Sequence, residues 1–288
     1  MRWCSALLLL LGCAAPAADS GRPAAGPRAC NGHPRLCDRP LAEITLPGTH
    51  NSMSNADAGW MAPNQPHGLT RQLADGVRAL MLDTYEEDGT LYLCHGYCSL
   101  GSQPLAEGLA EIRTFLDAHP DDFVAIIFQD AIPTERTAEA LEAAGLAGRA
   151  LVPGPALAAE PLGALLDGGA QLLIGLEAGG PPPAWLPNAW DVWVDTPYSF
   201  ASVDEFTCAQ NRGRADNPLT LVNHWVSDPL PRPENAVLAN AAAVLEGRAT
   251  ECAAAWGRPV NILAVDFYTT GDLFEVVRRL NGITSVSE

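Results

Sequence analysis

Eight short apolar runs, each closed by a polar residue and most followed by a helix-like stretch, constrain this chain more than any other feature. They cover residues 43–46, 77–82, 91–93, 123–128, 171–176, 192–194, 219–222 and 260–265. Between them, apolar residues recur with helical spacing over 105–118, 134–144, 161–166, 235–246 and 273–280. Strands that are apolar throughout must be covered on both faces, and helices between them supply the cover, so the pattern predicts a parallel α/β sheet. Eight such strands predict a TIM-type (β/α)8 barrel. An open doubly wound sheet is the alternative, but no Gly-x-Gly-x-x-Gly turn follows the first strand.

With 288 residues, 48% of them hydrophobic, the chain is long enough for one full core. The expected organisation is an export signal over residues 1–17, a flexible tether over 18–29 and one barrel domain over 30–288. The signal reading rests on Arg2, the apolar run 6–11 and the small residues that follow, a stretch too short to span a bilayer. Leu10-Leu11-Gly12-Cys13 resembles a lipoprotein cleavage box, which predicts an acyl chain on Cys13. Ala15-Pro16-Ala17 would instead serve an ordinary signal peptidase, so the exported protein is expected to be either secreted or membrane-anchored.

Export also bears on cysteine chemistry. Outside the signal stand Cys30, Cys37, Cys94, Cys98, Cys208 and Cys252, an even number that suggests disulfides in an oxidising compartment. Spacing alone leaves the connectivity open, although the close pairs 30/37 and 94/98 leave 208/252 as the third. A zinc site on Cys94-His95-x-x-Cys98 is the competing reading, with no second pair at finger spacing. The 34 acidic residues outnumber 17 basic ones, all arginine, for a formal charge of −17. That excess argues against a nucleic-acid partner, and it restricts any peripheral membrane contact to apolar insertion, a lipid anchor or a bridging cation. A monomer is expected.

In barrels of this kind, chemistry gathers where the strands end. The residues there are His50 with Asn51, then Asp83, His95, Asp130, Glu177, Asp195, His224 and Asp266. Two histidines at one mouth can hold opposite protonation states. One then takes a proton from an attacking hydroxyl while the other protonates a leaving oxygen, as phosphodiester cleavage requires. Trp60 and Met61 in the following loop could meet a lipid surface, though a Trp packed over the barrel end is the plainer reading.

Three segments, Thr49-His50-Asn51-Ser52, Gly76-Val77-Arg78 through Leu82-Asp83, and Leu93-Cys94-His95-Gly96, resemble the X region of phosphatidylinositol-specific phospholipases C. The Cys30-Asn31-Gly32-His33 to Cys37 element and Val265-Asp266-Phe267-Tyr268 are similar to the secreted X-domain branch. The resemblance implies a distorted TIM barrel acting on a phospholipid or another phosphodiester, with His50 as base, His95 as acid and Asp266 orienting His50. It also implies calcium on Asn51, Asp83 and Asp130, although Met81 stands where an acidic ligand is usual; water or Glu177 could fill that gap. Arg78, Glu177, Asp195 and His224 are the candidate substrate-binding residues. Two other readings are a catalytically silent headgroup- or glycolipid-binding relative and a glycerophosphodiester phosphodiesterase, whose usual His-Arg-Gly opening is absent.

Overall fold

The computed structural model describes residues 27–227 and 230–283, so the stretch expected to be an export signal and Cys13 lie outside the described residues. One nine-stranded sheet organises the chain: β1 (Leu46–Thr49), β2 (Ala79–Glu87), β3 (Thr90–Cys94), β4 (Ser102–Pro104), β5 (Val124–Asp130), β6 (Leu172–Leu176), β7 (Trp193–Asp195), β8 (Leu219–His224) and β9 (Ile262–Val265). Seven of these strands run parallel, in the order β7-β8-β9-β1-β2-β5-β6. No ladder joins β6 to β7 among the described residues, so the barrel is distorted and open at that seam.

Helices α1 (Pro34–Cys37), α2 (Leu69–Asp75), α3 (Leu105–Ala118), α4 (Thr134–Ala143), α5 (Ala156–Ala159), α6 (Leu162–Asp167), α7 (Pro233–Ala239), α8 (Ala242–Trp256) and α9 (Leu273–Leu280) fill the connections. The helical period over 235–246 is interrupted: Asn240 ends α7, and its side-chain amide donates to the carbonyls of Asp266 and Thr270, so α8 starts afresh.

The third apolar run is not a barrel strand. β3 is antiparallel to β2, joined to it by the turn at Asp88 and Gly89, both with positive φ, and β4 pairs antiparallel with β3 in turn. Because β3 brings the chain back beside Thr84, its end still delivers residue 95 to the barrel mouth. β4, Ser-Gln-Pro, has no apolar run to announce it.

Alternation along the strands divides the core in two. Leu46, Ala79, Met81, Ala125, Ile127, Leu173, Trp193, Leu219, Leu221, Ile262 and Ala264 belong to the cluster that fills the barrel. Leu80, Leu82, Val124, Ile126, Phe128, Ile174, Val222, Leu263 and Val265 belong to the one packed under the helices. Continuing each inward series in steps of two, through Gly48 in β1 and Gly175 in β6, reaches His50, Asp83, Gln129, Glu177, Asp195, Asn223 and Asp266.

Disulfides join Cys30 to Cys37, Cys94 to Cys98 and Cys208 to Cys252, which removes the zinc alternative at Cys94 and Cys98. Arg28, inside the span expected to be a tether, is paired with Asp121 and Asp167 at 2.5 and 2.8 Å.

Candidate active site

At the mouth, beyond the last inward layer of Met81 and Ile127, lies a cavity of about 430 Å³ including its opening to solvent. His50, Asn51, Asp83, Gln129, Glu177, Tyr198, Arg212 and Trp225 line it.

His50 leaves β1 and lies flat on Trp225, with ring centroids 3.8 Å apart. Its Nδ1 meets Asp266 Oδ1 at 2.9 Å, and the Asn64 amide donates to the same oxygen at 3.1 Å. The Gln65 amide donates to the carbonyls of His50 and Val265, at 2.7 and 3.0 Å, and so holds the ends of β1 and β9 together. Asn51 and Phe267, the residues after His50 and Asp266, both have left-handed backbones, φ +43° and +49°. Asn tolerates that region, whereas an aromatic residue there is strained, and the Phe267 amide bonded to the Asn64 carbonyl at 2.8 Å holds it in place.

Asp83 is 3% exposed, and its Oδ2 has no hydrogen-bond partner. Burial, reinforced by the neighbouring Glu177 charge, pushes its carboxyl well above the usual range. Glu177 is raised too, chiefly by burial, with Arg212 pulling the other way. Arg212 donates through Nε and Nη2 to Asp195 Oδ2 at 2.9 and 2.5 Å, and through Nη1 to Glu177 at 3.0 Å. Its guanidinium also lies over the rings of Trp190, at 3.8 Å, and Tyr198, at 4.6 Å. Fully buried Asp195 further accepts from the Arg212 backbone and from Asn223, so it fixes Arg212 rather than lining the cavity.

His95 stands exposed on the five-residue loop closed by the Cys94–Cys98 disulfide. The protein crowding its ring lowers its pKa below the ordinary imidazole value, the charge of His50 lowers it further, and Asp266 partly restores it. The two imidazoles and Asp266 therefore lie within electrostatic reach of one another.

Three further expected site residues are placed elsewhere. Asp130 pairs in register with Thr84, not Asp83, and so projects away from the barrel interior; its two oxygens accept the amides of Ala178 and Gly179, both at 2.8 Å. Arg78 precedes β2 at the opposite end of the barrel, donates to the carbonyls of Leu73 and Val77, and pairs with Asp122 at 2.8 Å. His224 has the outward parity of β8. It is fully buried, bonded to the Ala239 carbonyl at 2.8 Å, and burial with nearby Arg248 drives its pKa down to about 3.

Conversely, Arg212, Trp225, Asn64, Gln65 and Gln129 carry the site without having been singled out. Gln129 and Trp225 continue the inward parity of β5 and β8, a signal present in the strands. Arg212, Asn64 and Gln65 sit in long loops that no periodicity describes.

Among the described residues, no group of three or more His, Cys, Asp or Glu side chains is arranged to hold a metal ion. A mixed oxygen set does converge on the cavity: Asp83 with its unpartnered oxygen, Glu177, and Asn51, whose amide N–H donates to Asn64 and leaves its carbonyl oxygen as the remaining polar atom. Such donors fit a hard divalent cation such as Ca²⁺.

Comparison with known proteins places this geometry among relatives. A family model described as PI-PLC X 1 matches residues 36–281. A PI-PLC X domain-containing protein of Arthroderma benhamiae is 28% identical over 302 residues, covering 98% of this chain and 97% of its own. An uncharacterized secreted protein of the same fungus is also 28% identical, over 89% of this chain and 65% of its own. Among solved structures, the phosphatidylinositol-specific phospholipase C from Listeria monocytogenes superposes with a TM-score of 0.58 at 18% identity, covering 86% of this chain and 96% of that one.

Proposed function

Because the chain belongs to the PI-PLC X family, we propose that it is an exported phosphodiesterase that cleaves phosphatidylinositol or a closely related phosphodiester by acid-base catalysis on His50 and His95. The observation that carries this reading is the His50–Asp266 pair at the wall of a polar cavity. With the carboxylate accepting Nδ1–H, the lone pair of His50 sits on Nε2, the atom a base needs.

His50 Nε2 takes the proton of a ring hydroxyl vicinal to the phosphate. The alkoxide oxygen attacks phosphorus, the bond from phosphorus to the glycerol oxygen breaks, and His95 donates a proton to that oxygen. The products are a cyclic phosphodiester and diacylglycerol. Arg212 supplies N–H donors and Glu177 acceptors to the ring hydroxyls, with Tyr198 as a neighbouring ring face. Asn51, Asp83 and Glu177 would hold Ca²⁺, which supplies charge stabilisation to the phosphate oxygens when bound. Three disulfides suit an oxidising compartment, in keeping with export.

The test is hydrolysis of phosphatidylinositol vesicles with and without chelator, in the parent and in His50→Ala and His95→Ala. Cyclic inositol phosphate should be released, and each substitution should lower turnover by about 10²–10⁴-fold. Undiminished turnover in both variants rejects the assigned roles. Lipid-headgroup binding without turnover supports the silent relative, and release of glycerol 3-phosphate supports glycerophosphodiester chemistry.

A further inference from the structure

Arg212 stands in the connection between β7 and β8, where the only regular element is the short turn at Val203–Glu205. Its guanidinium nevertheless has a fixed place at the cavity wall, among Asp195, Glu177, Trp190 and Tyr198. A side chain that must meet ring hydroxyls in one orientation needs a backbone that is held, and a long connection does not hold itself. The hold comes from α8. Arg248 and Cys252 are one turn apart on its buried face and grip consecutive residues of the connection: Arg248 donates to the Thr207 carbonyl at 3.1 Å, and Cys252 is bonded to Cys208. Arg212 lies four residues further on.

The same guanidinium reaches Arg212 by a second route. Arg248 Nη1 donates to the Asn223 carbonyl at 2.7 Å, and Asn223 Nδ2 donates at 3.0 Å to Asp195 Oδ2, the oxygen that takes Arg212 Nε and Nη2. Arg248 Nη2 also lies 3.4 Å from Thr196 Oγ1, a hydroxyl that accepts the Asn223 backbone N–H at 3.0 Å. Arg248 is only 5% exposed, and among the described residues no carboxylate bonds it. Its other neighbours are His224 Nδ1 at 3.5 Å and the faces of Phe206 at 4.2 Å and Phe200 at 4.9 Å, while its Nε has no partner. Burial drives its pKa down to about 10, with Glu251 pulling the other way. A guanidinium in that setting costs stability that an apolar side chain between the two phenyl rings would not, so its use lies in what its donors hold.

We propose that Arg248 is a positioning residue for Arg212: its donors fix Thr207 and Asn223, and through them the guanidinium that meets the ring hydroxyls of the substrate. The inference rests on the phosphodiesterase reading above for the identity of that substrate, while the linkage from α8 to Arg212 stands on the geometry. Arg248 itself touches no part of the cavity and acts only through the two routes.

The experiment uses the full chain with Arg248→Met, which removes the fork and the charge, and Arg248→Lys, which keeps the charge and reaches fewer acceptors. Arg212 would bond the ring hydroxyls in ground and transition states alike. Arg248→Met should therefore raise KM for a water-soluble inositol phosphodiester about ten-fold and leave kcat within about two-fold, with Arg248→Lys between it and the parent. A double-mutant cycle with Arg212→Met separates positioning from general destabilisation: once Arg212 is gone, Arg248→Met should cost less than about two-fold in kcat/KM. A further readout needs no substrate. By NMR, solvent exchange of the Arg212 Nε–H, bonded to Asp195 in the parent, should be at least about ten-fold faster in Arg248→Met, the signal being assigned by its loss in Arg212→Met. Unchanged KM in a folded Arg248→Met, additive losses in the cycle, or unaltered exchange at Arg212 overturns the proposal. If Arg248→Met does not fold, Arg248→Lys decides by the same three measurements. If the parent does not turn the phosphodiester over, the phosphodiesterase reading fails, and the exchange rate still decides whether Arg248 positions Arg212.

Discussion

His50 is stacked on Trp225 with planes only 4° from parallel, while its Nδ1 meets Asp266. The stack fixes the plane of the ring and the carboxylate fixes its rotation, so Nε2 has one direction available, toward the cavity.

Asp266→Asn tests that arrangement. If the new amide turns N–H toward Nδ1, it stabilises the opposite tautomer and moves the lone pair away from Nε2. We expect kcat to fall by about 10²–10⁴-fold, the range by which a positioned base contributes, with little change in KM. A KM effect with kcat preserved would mean that Asp266 shapes the cavity and not the base.

The pH profile tests His95. An acid works only while protonated, and crowding together with the His50 charge lowers the His95 pKa below the ordinary imidazole value. The alkaline limb of kcat/KM, which reports the free enzyme, should therefore fall below about pH 6.5. Asp266 partly offsets the lowering, so Asp266→Asn should move that limb further toward acid. A limb above 7 in the parent would remove His95 from the acid role.

Asp83 and Asp130 show why some of the site was legible in the strand pattern and some was not. Both are acidic residues at the end of an apolar run, and composition does not separate them. Strand parity does: Asp83 follows inward Ala79 and Met81, while Asp130 follows outward Ile126 and Phe128. The same period-two rule retains Glu177, Asp195 and Asp266 and expels His224. Alternation is thus the information in the sequence that a list of strand-end residues leaves unused. The barrel class, the main helices and both catalytic candidates could be read from periodicity and motif, but the antiparallel β3 could not, because a run of 91–93 has no direction until Asp88-Gly89 turns it back. Arg212 had no local signal either. Its position depends on Asp195, seventeen residues earlier, and on Trp190 and Tyr198.

Asp83→Asn separates a stability effect from a functional one. Burial raises the carboxyl above its unfolded value, so the parent is penalised as pH rises from about 4 through that raised pKa. The variant should therefore unfold at a higher temperature than the parent at neutral pH, and the two should coincide below about pH 4. Calcium at a hundred times its Kd would stabilise the parent by about 2.7 kcal/mol and leave the variant nearly unchanged. Equal calcium response in both proteins would exclude Asp83 as a ligand.

The disulfides at Cys94–Cys98 and Cys208–Cys252 should differ in what their loss does. The first closes a separation of four residues and the second one of 44. Loop-closure entropy then assigns them about 2 and about 4 kcal/mol of stabilisation. Cys208–Cys252 ties the loop bearing Arg212 to α8, where buried Arg248 also donates to the Thr207 carbonyl at 3.1 Å. Cys94–Cys98 encloses His95. Serine at positions 208 and 252 should lower the unfolding midpoint more, measured by calorimetry. Serine at 94 and 98 should cost the larger fraction of kcat at a temperature where both variants remain folded, because an acid on an unclamped loop loses its orientation toward the leaving oxygen. Equal loss of kcat in the two variants would show that the short disulfide does not position His95.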